Sequence, residues 1–148
     1  MANTSRIGEI SIAQVAAALT RAGKSVLLPF GDNKRYDLVF EDEDGRFLRV
    51  QCKTGRIQKG VLCFPTCSIP SRSRTGCKTV RKSYGGQAEL FGVFCPDNET
   101  VYVIPIKDLP PNTAFLRLER TKNNQQRGIR WAKDYEAGKA VGMETLDP

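Results

Sequence analysis

Between Tyr36 and Lys53 apolar and polar positions alternate around an acidic turn, as Tyr-Asp-Leu-Val-Phe and then Phe-Leu-Arg-Val-Gln-Cys-Lys. A period of two predicts a β-hairpin with one face buried. In the first strand Tyr36, Leu38 and Phe40 point one way, and Asp37 points the other way with Val39. In the second, Phe47, Arg49, Gln51 and Lys53 share a face, while Leu48, Val50 and Cys52 share its opposite. A shift of one residue moves every side chain to the other face, so the turn decides whether Asp37 joins Gln51 and Lys53. A three-residue loop, Glu43-Asp44-Gly45, with Gly45 at positive φ in a G1 bulge, pairs Asp42 with Arg46 and hence Asp37 with Gln51. A four-residue loop puts Asp37 opposite Val50, on the wrong face. Gly45 favours the first register.

The same patterning predicts a helix over about Ile7–Ala22, capped by Thr4 or Ser5 and ended by Gly23, with Ile12, Ala13, Ala16 and Leu19 as its apolar stripe and Glu9 at the buried edge. Strands are expected at Ser25–Leu28, at Val61–Cys67 as a third strand of the sheet, and at Leu90–Cys95 and Val101–Ile106 as a hairpin around Pro96-Asp97-Asn98-Glu99. Phe115–Leu118 reads as a last strand and Ile129–Ala137 as a short terminal helix, on which Trp131 and Tyr135 are packing residues. The sum is an α/β chain with a mixed sheet, expected to form a single domain over 1–148.

Composition narrows the chemistry. The 148 residues carry a net charge of +7, which points to a polyanionic partner. Histidine is absent, which removes Ser-His-Asp and Cys-His nucleophile schemes, His-metal nucleases and Cys2His2 fingers. The five cysteines, without a signal-peptide layout or a membrane-length apolar run, imply reduced thiols and a cytoplasmic location. Cys63-x3-Cys67 with Cys77 downstream is too loose for a zinc site. From Arg46 to Ala88 there is no Asp or Glu, against ten Lys and Arg. An ordinary solvated surface intersperses both signs. Residues 71–86 therefore read as a DNA-contacting loop rather than merely a flexible basic one, with Lys78, Arg81 and Lys82 among its DNA-binding residues, Arg72 and Arg74 as candidates for base edges, and Ser, Thr and Tyr84 for phosphate hydrogen bonds. A second basic run, 117–133, contains Arg120, Lys122 and Arg127; it is either another groove contact or a polar loop.

Asp37, a strand–turn–strand spacer and Gln51-Cys52-Lys53 resemble the signature of the PD-(D/E)xK nuclease superfamily, with Gln51 where most members have Asp or Glu. Gly8-Glu9, Pro29-Phe30-Gly31-Asp32, Tyr36-Asp37-Leu38-Val39, Val50-Gln51-Cys52-Lys53 and Tyr102-Val103-Ile104-Pro105 resemble in particular the group I intron-associated endonucleases of that superfamily. The resemblance implies a restriction-endonuclease-like core, a mixed central sheet flanked by helices, and Mg2+-dependent cleavage of double-stranded DNA by a homodimer or homotetramer, with Mn2+ able to replace Mg2+. It implies Asp37, the Gln51 amide oxygen and the Cys52 carbonyl as metal ligands, with Lys53 orienting water and offsetting charge. Glu9 then supplies the carboxylate that Gln51 lacks. Two other readings stay open. One is a non-catalytic DNA-binding protein on the nuclease fold, and the other is the same site serving a Holliday-junction resolvase or restriction-type enzyme.

Overall fold

A computed structural model describes residues 3–31, 33–68, 82–83, 86–120, 123 and 128–140. Helix α1 spans Thr4–Arg21. It starts one turn earlier than the sequence predicts because Asn3, not Thr4 or Ser5, is the cap: its Oδ1 accepts the Ser5 N–H at 3.0 Å and the Arg6 N–H at 3.4 Å. It ends in a Schellman motif, with Gly23 at φ +85° and the Lys24 N–H donating to the Leu19 carbonyl at 3.0 Å. The buried stripe is Ser11, Val15 and Leu19. It is rotated from the expected one, leaving Ala13 exposed. A serine can occupy that stripe because its hydroxyl hydrogen-bonds Thr54.

Five strands form the central sheet: β1 (Ser25–Leu27), β2 (Leu38–Glu41), β3 (Phe47–Thr54), β8 (Leu90–Cys95) and β9 (Thr100–Pro105), in the order β1-β2-β3-β8-β9. Only β3 and β8 run parallel, with Gln51 opposite Phe91 and Lys53 opposite Val93. Both hairpins foreseen in the sequence are present. Val15 and Leu19 of α1 pack with Leu38, Phe40, Val50 and Leu90 on one face of the sheet, and Ala137 of α2 (Ala137–Ala140) joins that core. Burial of side chains of this size is worth roughly 1.5–3 kcal/mol each.

The other face is covered over β8 and β9 by a second sheet of β4 (Arg56–Gln58), β5 (Val61–Pro65) and β10 (Thr113–Arg117). Phe64, Leu62 and Leu116 meet Phe91, Val93 and Ile104 there. The Val61 strand is therefore not a third strand of the central sheet. Gly55 breaks away from β3, at a place where an added Cβ would stand 2.7 Å from Leu62 Cδ1, and Lys59-Gly60 turn the chain with both residues at positive φ. The expected terminal helix is also replaced. Trp131 bridges Arg117 and Glu136 bridges Tyr102. These extended contacts leave only a 3-10 turn at Ala132–Tyr135 before α2. Two short strands, β6 (Cys67–Ser68) and β7 (Lys82–Ser83), pair antiparallel. No helix among the described residues is long and apolar enough to cross a membrane.

Candidate active site

The β2–β3 register decides what the site contains. Leu38 pairs with Val50, so Asp37 falls opposite Gln51. This is the register of the three-residue loop, with Gly45 at φ +79° and the Asp42 N–H donating to the Arg46 carbonyl at 2.8 Å. The Asp42 carboxylate closes the turn by accepting the Asp44 and Arg46 N–H groups, each at 2.9 Å.

Asp37 is fastened at two points. Its N–H donates to the Val50 carbonyl at 2.9 Å, and its Oδ2 accepts the Cys52 N–H at 2.8 Å. Burial pushes its carboxyl above the ordinary carboxylate range. The Cys52 hydrogen bond and the Lys53 charge pull the other way and do not offset it. Cys52 itself points into the core, where burial and the Asp37 charge push its thiol up, so it stays protonated.

Gln51 and Lys53 are half-buried on the face that carries β4, β5 and β10. Lys53 Nζ donates to the Cys67 carbonyl at 3.4 Å. That corner is itself pinned, since Thr66 Oγ1 donates to the Pro110 carbonyl at 2.6 Å and the Thr66 N–H to the Asn112 carbonyl at 3.0 Å. Chain pairing also returns the basic stretch to this place, because Ser68 pairs with Lys82 directly after Cys67.

The donor set suits a hard divalent ion: one carboxylate, one amide oxygen and a main-chain carbonyl within three consecutive positions and their cross-strand partner. Among the described residues no three His, Cys, Asp or Glu side chains gather closely enough to hold a metal. An ion at Asp37 would thus have at most one further such side chain beside that carboxylate, the rest of its ligands being neutral oxygens and water. Cys52, Cys63, Cys67 and Cys95 are buried free thiols.

Glu9 is exposed rather than at the buried edge of α1. Among the described residues no hydrogen bond or ion pair joins it to Asp37, Gln51 or Lys53. The expected DNA contacts Arg72, Arg74, Lys78, Arg81, Lys122 and Arg127 lie outside the described residues, as does Asp32. Lys82 lies in β7, and Arg120 is exposed beyond β10.

Sequence reasoning missed a set of polar partners beside Gln51. Arg49, on the same face, binds Glu89 through Nε, at 2.8 Å to Oε2 and 3.1 Å to Oε1. Arg35 Nε donates to Gln87 Oε1. Only the parallel β3–β8 pairing brings these residues together. The one hint in the sequence is that Glu89 is the first acid after the acid-free stretch.

A family model described as PD-(D/E)XK endonuclease matches residues 2–138. The chain belongs to this family. This PD-(D/E)XK endonuclease is also similar to a solved bacterial homing endonuclease, I-Ssp6803I, with a TM-score of 0.74 and 25% identity over 97% of this chain and 95% of that one. No curated protein matches it. The protein is therefore a DNA endonuclease with an α/β core of this family's type, and divalent-metal dependence is general in the family. The hairpin register places Asp37 opposite Gln51, with Cys52 and Lys53 next along β3.

Proposed function

We propose that this endonuclease is a Mg2+-dependent enzyme of the homing type, able to use Mn2+, that cuts both strands of double-stranded DNA as a homodimer or homotetramer. The observation that carries the reading is the register that sets Asp37 opposite Gln51, with the Asp37 carboxylate on the Cys52 N–H and Lys53 on the same face. Residues 1–148 act as one nuclease unit, and 71–86 and 117–133 are its DNA-contacting segments. The group I intron origin rests on the likeness to a homing endonuclease, and finding the reading frame inside such an intron tests it. Buried free thiols suit a reducing cytoplasm.

Asp37, the Gln51 amide oxygen and the Cys52 carbonyl hold the metal in this reading. An ion bound there supplies Lewis acidity toward the phosphodiester and its attacking water. Lys53, steadied by the Cys67 carbonyl, orients that water and offsets the negative charge that grows on the phosphate. Glu9 is the second carboxylate. α1 packs on the sheet face opposite Gln51 and Lys53, and the Ser11–Thr54 hydrogen bond ties its amino-terminal half to the end of β3, so in this reading Glu9 reaches the ion past that end, through water.

A plasmid-nicking assay tests the whole reading. Wild type nicks and linearises supercoiled DNA with Mg2+ and does neither with EDTA. Lys53→Ala slows cleavage by about 10²–10⁴-fold. Intact DNA binding together with equal, metal-independent inactivity of both proteins would leave a DNA-binding protein on a nuclease fold.

A further inference from the structure

The Arg49–Glu89 ion pair lies at the start of the parallel β3–β8 pairing, next to Gln51. Arg49 lies two residues before Gln51 on the same face of β3, about 7 Å along the strand. Its Nε–H is shared between the two oxygens of the Glu89 carboxylate, and a phosphate offers an equivalent pair of acceptor oxygens. Both side chains are 37% exposed, so neither must be dug out of the core to change partner. Glu89 is also the first acid after a stretch of sequence that has none back to Arg46.

The backbone around the pair does not depend on it. The Glu89 N–H donates to the Arg49 carbonyl and the Glu89 carbonyl accepts the Ile106 N–H, each at 3.0 Å. Side chains fasten the chain just before it. Arg49 Nη2 donates to the Gly86 carbonyl at 3.3 Å, and Arg35 Nε donates to Gln87. Thus 86–89, where the basic stretch ends, hangs by two arginines, Arg49 of β3 and Arg35 of the bend that precedes Asp37.

We propose that Arg49 and Glu89 form a latch that DNA opens. In the free protein the Glu89 carboxylate occupies Arg49 as a phosphate would. On binding, Arg49 passes to a backbone phosphate of the strand in the site, Glu89 turns to solvent, and 86–89 loses one of its two side-chain ties. The latch rests on the Gln51–Lys53 face being the DNA-facing site.

A binding assay in EDTA, with a short mixed-sequence duplex titrated over a range of salt, separates the possibilities without cleavage. Arg49→Ala should weaken binding several-fold and reduce the slope of log K against log salt by about one. Glu89→Gln should tighten binding several-fold in wild type and leave it unchanged in the Arg49→Ala background. Equal tightening in both backgrounds would mean that Glu89 only repels DNA, and would overturn the latch. An unchanged slope in Arg49→Ala would overturn it too. If Arg49→Ala fails to fold by circular dichroism, Arg49→Gln takes its place in the same comparison, and unaltered affinity of Glu89→Gln sinks the proposal in any case. Lys53→Ala in the same titration isolates the underlying site reading. A lower slope for Lys53→Ala but not for Arg49→Ala removes the latch alone, and no change in either removes both.

Discussion

Asp37 is a carboxylate held under tension between folding and function. Burial raises its pKa in the fold, above the 3.8 of an exposed aspartate. The sign follows from linkage. Between its unfolded and folded pKa the native chain binds more proton than the unfolded one, so stability falls as pH rises through that window. Above it the full penalty remains. Asp37→Asn removes the charge and keeps an oxygen for the Cys52 N–H, so it should raise the Tm in EDTA at neutral pH. It should also abolish any Tm increase that Mg2+ gives wild type, and cut cleavage by about 100-fold or more. Thermal unfolding of the two proteins with and without Mg2+ checks both. A lower Tm for the Asn variant in EDTA would show the carboxylate to be net stabilising. Wild-type cleavage should decline as pH drops through the raised Asp37 pKa, because metal needs the ionised form. The placement of Asp37 opposite Gln51 was legible because hairpin alternation is local. Glu89 and Arg35 were not, because their partners are set by a parallel pairing and a loop contact far away in sequence.

At the level of elements, the hairpin register has two determinants of unequal size. Gly45 avoids a left-handed strain of roughly 1–2 kcal/mol for other residues. Its environment is otherwise open, with Glu41 Oε1 3.8 Å from where a Cβ would stand. Against it, Leu38, Phe40 and Val50 are fully buried on one face, at about 1.5–3 kcal/mol each. Burial wins. Gly45→Ala should thus cost about 1 kcal/mol, a fall in Tm of about 2–4 °C, and leave Mg2+-dependent nicking intact in the folded protein. Loss of nicking at a temperature where the variant is folded would show that the turn, not the core, sets the register. Gly92→Ala should cost more, about 1–3 kcal/mol, because its Cβ would stand 2.6 Å from Val15 Cγ1 and 3.0 Å from Val50 Cγ1, between α1 and the sheet. Denaturant unfolding of the two variants ranks them, and a smaller loss for Gly92→Ala would mean that α1 yields freely. The turns that announced themselves, Gly45 and Pro96–Glu99, are where sequence reading succeeded. The β4–β5 turn escaped it because Lys59 adopts φ +51°, a conformation that lysine seldom signals. The helix cap moved to Asn3 for a similar reason, since several adjacent polar residues are competent caps. The terminal helix failed because the bridges of Trp131 and Glu136 to distant strands override local helical spacing.

For the whole molecule, one site per chain and two strands to cut make stoichiometry the sharpest test. The site lies on a half-covered sheet face, and the basic stretch leaves at Ser68 and returns at Lys82 beside Lys53. Both ends of the basic stretch therefore lie beside the proposed site. Among the described residues nothing in that arrangement duplicates Asp37 or Lys53 within one chain, so double-strand cleavage by this reading requires two copies related by a two-fold axis. Co-expression of wild type with an excess of Lys53→Ala, each carrying a different tag, allows assemblies that hold both to be purified. Such mixed assemblies should convert supercoiled plasmid to nicked circles and produce little linear DNA, whereas pure wild type proceeds to linear product. Their binding to duplex in EDTA should stay within a few-fold of wild type, since Lys53 is one cation among 23 Lys and Arg. If mixed assemblies linearise plasmid as completely as wild type, a single site must cut both strands in turn, and the two-copy mechanism falls while the metal-dependent site stands. If no mixed assembly forms because the copies remain monomeric, the same protein preparation should show nicking alone at low concentration. Linear product should then rise with concentration as two monomers meet on one duplex.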